Sequence, residues 1–211
     1  IEEVLPGYFW LFPVKEGVVN VGIGMLISEQ RKQKGMKKSL KQIQKWVIEN
    51  HPRFKERFGE ATLVEGTEKG WQLPFGSPRK NAPSYQPRRG AMAGAMTVGD
   101  AASLVDPFSG EGIGNALLTG KLTSSHFNKE IHSDGFPLSA ATAYMEDMWN
   151  ELGGELSNST KLQRMMKMKR LTNWFVKKAA KKPEIGEMMS EMIASKETQK
   201  ALWSPWFLFK T

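Results

Sequence analysis

Two stretches near the start of the chain, YFWLFPV (residues 8–14) and VVNVGIGMLI (18–27), are dense in β-branched and aromatic residues, with the glycine-containing turn KEG between them. That pattern predicts a β-hairpin. The period then changes. From Met36 to Glu49, Leu40, Ile43, Val47 and Ile48 recur at helical spacing with lysines opposite, which predicts an amphipathic helix ended by His51-Pro52. RFKERF adds a short helical turn, and ATLVEGTEKGWQLPF (61–75) predicts one or two more strands. GSPRKNAPSYQPRRG (76–90) reads as a connector and a domain crossing. AMAGAMTVGD (91–100) is small and uncharged up to its last residue, the pattern of a strand buried in a sheet covered on both faces. Helices are predicted from about Gly112 toward Asn128, from Ser139 to Leu156, over 161–182, and from Pro183.

Composition narrows the class. A chain of 211 residues, 40% of them apolar, can bury the core of one full domain or two small ones. A net charge of +8 favours anionic partners. The absence of cysteine excludes disulfides and thiol chemistry, and His51, His126 and His132 are too scattered to predict a metal site. No apolar run reaches the roughly 18 residues of a membrane span, and IEEVLPGYFW does not have the pattern of a signal peptide.

Chemistry concentrates in VGDAASLVDPFSGEGIGNAL (98–117). An aspartate ending a buried strand of an α/β sheet faces the crevice where such sheets bind ligands, and the Asp100 carboxylate can accept hydrogen bonds from a sugar or polyol there. Gly110, Gly112 and Gly114 allow close approach of backbone, and the helix start beyond them suits an anion. Spacing alone equally allows Asp100 as a turn cap and the glycines as a tight corner.

This segment resembles the second flavin-binding motif of the FAD-dependent oxidoreductases that share the fold of p-hydroxybenzoate hydroxylase. The resemblance implies an α/β (α+β) flavoprotein fold with an antiparallel-sheet substrate domain and C-terminal helices. It implies FAD as cofactor, with Gly99 and Asp100 at the ribityl portion and Pro107, Gly110, Gly112, Ile113, Gly114 and Asn115 along the isoalloxazine ring. The hairpin carries Tyr-x-Trp-x-Phe-Pro, eight residues, then Gly-x-Gly, at Tyr8, Trp10, Phe12, Pro13, Gly22 and Gly24. That pattern resembles the substrate-domain signature of geranylgeranyl reductases and implies that Tyr8, Trp10 and Phe12, with Gly22 and Gly24, line the cavity for an isoprenoid chain. Alternation does put the three aromatics on one face, although an ordinary sheet core has the same pattern. The implied activity is saturation of carbon–carbon double bonds of a prenyl lipid, with FAD reduced by NADPH, NADH or ferredoxin. No catalytic side chain is singled out; Tyr8 is a candidate proton donor that strand packing explains equally well. The alternatives are a monooxygenase or halogenase on the same fold, and a non-catalytic membrane-associated protein.

The Gly-x-Gly-x-x-Gly fingerprint for the ADP half of FAD is absent, since GIGMLI and GEGIGN both fail at the last glycine. The chain is therefore expected to be a C-terminal portion whose N-terminal Rossmann unit is missing. Residues 1–85 would then be part of the substrate domain, 86–135 the second half of the FAD-binding domain, and 136–211 a helical region. Between Lys161 and Lys182 lie nine Lys or Arg and no acid, interleaved with Met, Trp and Phe. Such a helix lies on anionic membrane surfaces or packs its apolar stripe on its own core. No nucleic-acid motif accompanies the charge. The expected location is the cytoplasm, peripheral on the inner face of the membrane.

Overall fold

The alternation in residues 7–25 becomes an antiparallel hairpin, β1 (Gly7–Lys15) and β2 (Val18–Met25), in a computed structural model that describes residues 7–15, 17–32, 39–77, 89–128, 133–184, 186 and 187. Gly17 makes the turn at φ +69°, a conformation a side chain would strain. β2 stops short of the predicted Ile27, because Ile27 opens helix α1 (Ile27–Lys32). One face of the hairpin, through Phe9, Ile23 and Met25, packs on α2 (Leu40–Asn50), which buries Ile43 and Val47. α2 begins at Leu40 because Ser39 and Gln42 cap each other: the Gln42 N–H donates to Ser39 Oγ (3.3 Å) and the Ser39 N–H to Gln42 Oε1 (2.8 Å). Residues 36–38 of the predicted helix lie outside the described residues. His51 closes α2, its N–H donating to the Val47 carbonyl, and starts α3 (Pro52–Lys55) by accepting the Arg53 N–H on Nδ1.

The strands predicted over 61–75 do not form. Residues 61–73 are exposed, Trp71 to 92%, and Phe75 alone makes a single parallel bridge, to Val105. Strand propensity needs a neighbour to complete the backbone hydrogen bonds, and no described strand lies beside this stretch. The chain divides into two compact units, residues 1–70 and 71–211. The predicted crossing at 76–90 falls largely on residues 78–88, outside the described residues.

In the second unit the small apolar stretch is not one buried strand. It folds back on itself as β3 (Ala91–Met92) and β4 (Ala95–Met96), turning at Gly94 with φ +82°. A 3-10 helix (Gly99–Ala102) follows, then α4 (Ile113–His126), α5 (Leu138–Met166) and α6 (Lys169–Ala179). The described strands thus form two small two-stranded antiparallel sheets within a mixed helical and β fold. α5 runs ten residues past the predicted Leu156, and the helix predicted over 161–182 breaks at Lys167-Met168. Ala141, Tyr144, Met148, Leu152 and Leu156 recur every three or four residues along α5 and are fully buried. They pack with Ala91, Ala102, Leu104 and Phe136 into one core, to which α4 adds Leu118 and Leu122. Residues 183, 184, 186 and 187 are helical, and everything from 188 on, the aromatic tail included, lies outside the described residues. Among the described residues no helix is long and apolar enough to cross a membrane.

Candidate functional site

The segment 98–117 is built around backbone that side chains would obstruct. Gly99 sits at φ +52°, and a Cβ there would lie 2.8 Å from Ala116 Cβ on α4. Its N–H donates to Thr119 Oγ1 (3.0 Å), tying the 3-10 helix to α4. Asp100, predicted at the end of a buried strand, is instead exposed in the first turn of the 3-10 helix, because β4 ends at Met96. It nevertheless lies beside the start of α4. A Cβ on Gly112, the residue that starts α4, would sit 3.0 Å from Asp100 Oδ1 and 3.3 Å from Val105 Cγ2. An unengaged carboxylate, a bare backbone position and the positive end of a 14-residue helix therefore meet at one point.

The intervening loop is pinned from below by Asp106, which sequence reasoning did not select. Asp106 is buried; its Oδ1 accepts the N–H groups of Phe108 (2.9 Å) and Ser109 (2.7 Å) and the Ser109 hydroxyl (2.9 Å), while Oδ2 has no partner. Its own N–H donates to the Glu111 carbonyl (2.7 Å), and its carbonyl accepts from Gly110, held at φ +76°. The signal was available, since an Asp before Pro initiates turns through such bonds. Pro107 is buried, and its carbonyl accepts from Gln163 Nε2 of α5 (2.5 Å). Asn115 is turned inward and donates to the Leu104 carbonyl (2.7 Å), so its amide nitrogen sets the loop. Ile113, by contrast, is 76% exposed beside exposed Gly114. Glu111, also not selected, accepts the Gly114 N–H on Oε1 at 2.6 Å, so an anion from the chain itself already takes one amide of this helix start.

The hairpin supplies a second cluster, in the other unit. Tyr8, Trp10 and Phe12 share one face, opposite Gly24, Gly22 and Asn20 respectively. The rings form a row, with centroids 5.6 Å apart for Tyr8–Trp10 and 6.3 Å for Trp10–Phe12. Trp10 lies across β2: a Cβ on Gly22 would fall 1.8 Å from its ring, and its Nε1–H donates to Asn20 Oδ1 (2.8 Å). Gly24 extends the same floor, its Cβ position 3.6 Å from the Trp10 ring. Tyr8 and Phe12 are exposed, and the core of this unit lies on the opposite face, against α2. Partial burial raises the Tyr8 phenol above its ordinary pKa.

Residues 2–62, which contain this face, match a family model described as the geranylgeranyl reductase catalytic domain. The chain is similar to the geranylgeranyl reductase family. It is 33% identical over 132 residues to a digeranylgeranylglycerophospholipid reductase of Thermoplasma volcanium, covering 62% of this chain and 28% of the relative. The corresponding protein of Picrophilus torridus is 31% identical over 171 residues, covering 81% of this chain and 35% of the relative. A menaquinone reductase of Mycolicibacterium smegmatis is 33% identical over 127 residues, covering 58% of this chain and 26% of that protein. The chain thus spans about a third or less of the curated family members it matches. No solved structure matches it.

Proposed function

We propose that this chain carries part of an FAD-dependent reductase that saturates carbon–carbon double bonds of a prenyl lipid. The observation that carries the reading is the meeting of the Asp100 carboxylate, the Gly112 backbone and the α4 N-terminus in a chain similar to this family. The residues present fit the cofactor. Asp100 offers an acceptor to ribityl hydroxyls, Gly112 brings bare backbone against that carboxylate, Gly110 at positive φ and exposed Gly114 would border a ring laid on this segment, and the orphaned Asp106 Oδ2 is a further acceptor. Exposed Ile113 gives an apolar contact, Pro107 borders the loop, and Gly99 and Asn115 hold its shape. When bound, FAD supplies the hydride equivalents for reducing the double bond.

The α4 N-terminus would stabilise negative charge beside it, less the share already taken by Glu111. Tyr8, Trp10 and Phe12 would hold the prenyl chain against an aromatic wall, and the protonated Tyr8 phenol would be a proton source. NADPH, NADH or ferredoxin would supply the electrons. The test is anaerobic turnover of a digeranylgeranyl lipid by the complete protein with reduced FAD, read by mass spectrometry. The reading predicts a gain of two hydrogens per double bond without oxygen. Product that appears only with oxygen and carries an oxygen atom would replace it with a monooxygenase.

A further inference from the structure

The basic run at 161–182 is divided by the fold into two parts with different surroundings. Lys161 and Arg164 belong to the end of α5, and the break at Lys167-Met168 lets α6 leave in a new direction. α6 turns Leu171, Thr172 and Phe175 inward, and the Thr172 hydroxyl donates to the Met166 carbonyl (3.1 Å), fixing the helix to the end of α5. On the other side Arg170, Trp174 and Lys177 of α6 and Lys181 in the turn that follows it recur at i, i+4, i+7 and i+11, and all four are exposed. Trp174 leaves 45% of its surface to solvent, with Lys178 Nζ 4.4 Å from its ring centroid. No acid occurs between Lys161 and Lys182.

We propose that α6 and the turn after it dock on an anionic bilayer surface, with Arg170, Lys177 and Lys181 at the headgroups and Trp174 at the boundary between headgroups and acyl chains. The charge is complementary, and the amphipathic indole is the side chain that settles at that depth. One face of the ring is already taken by Lys178, which leaves it poorly placed to stack on a nucleobase. The choice of lipid over polynucleotide also rests on the prenyl-lipid reading above. Docking here would hold the protein at the surface where such a substrate resides.

The test floats the complete protein, without flavin or prenyl lipid, on vesicles of phosphatidylcholine alone and on vesicles with about one third phosphatidylglycerol. At about fivefold in partition per cationic side chain, the wild type is expected at least about tenfold more enriched on anionic vesicles. High salt should release it, since screening shortens the reach of these charges. Arg170→Glu/Lys177→Glu/Lys181→Glu, confirmed folded by an unchanged melting temperature, should lose that preference, and Trp174→Ala should weaken binding several-fold while leaving the salt dependence. Equal flotation of the wild type on both vesicles overturns the proposal, and that comparison needs no variant. So does wild-type binding by the folded triple variant, or retention of poly(U) without vesicle binding. Turnover of a detergent-dispersed prenyl lipid would survive any of these results, which separates this failure from failure of the reductase reading.

Discussion

The segment 98–117 and the hairpin face are built on opposite principles. The first is made of backbone: Gly99 is pressed against Ala116, Gly112 against Asp100 and Val105, and buried Asp106, Asn115 and Thr119 hold the turns by hydrogen bonds. The second is made of side chains: three rings stand on one strand, the glycines opposite leave them room, and a single bond from Asn20 orients the middle one. A site of the first kind fixes atoms to within tenths of an ångström and tolerates almost no substitution. A wall of the second kind adapts, because its rings move without moving the chain. That difference suits the proposed roles, a rigid, planar cofactor for the first and a long, flexible apolar substrate for the second.

The largest effects should come from the backbone-built segment. Gly99→Val adds a branched side chain at positive φ and against α4, and should cost about 3 kcal/mol or more in a denaturant titration. Gly17→Ala, also at positive φ but with open space around it, should cost only about 1 kcal/mol. Equal costs would remove close approach as the reason for Gly99. Next comes Asp106→Ala, which leaves two backbone N–H groups and a hydroxyl without their acceptor and should cost about 2–3 kcal/mol. Asp106→Asn keeps Oδ1 and should cost about half as much.

On the hairpin, Gly22→Val must expel the Trp10 ring, at about 1–2 kcal/mol, because the half-buried ring can swing toward solvent; Trp emission should shift to the red. A cost matching that of Gly99→Val would contradict the adaptable wall. Smallest is Asn20→Leu, which removes one partly solvated bond, at about 1 kcal/mol or less, and loosens the orientation of Trp10.

The hairpin was legible because alternation, a glycine turn and paired glycines all specify it locally, and α4 was legible because glycines mark its start. Asp100 and the Gly112 backbone lie side by side, although the strand expected before Asp100 does not form. AMAGAM has the composition of a buried strand, but Gly94 at φ +82° folds it back after two residues. The stretch 61–75 failed for a different reason, since its β-propensity is real but pairing depends on a partner strand that its own residues do not encode. Asn20 was passed over because its role, a cross-strand reach to Trp10, exists only in three dimensions, whereas Asp106 carries a local Asp-Pro turn signal that the choice of site residues did not use. The length of α5 was underestimated because the basic run from Lys161 reads as a separate helix, yet α5 continues past Leu156 to Met166 with Ser159, Thr160 and Leu162 buried.

The measurement that bears most directly on the account is FAD binding to the complete protein, wild type against Asp100→Ala, by equilibrium titration at matched salt. Asp100 is exposed, and no described donor engages its carboxylate, so the melting temperature should not change. The account predicts at least about tenfold weaker binding, the loss of about 1.4 kcal/mol or more of hydrogen bonding to the cofactor. Unchanged affinity in the folded variant would contradict it and remove Asp100 and the start of α4 from the flavin site.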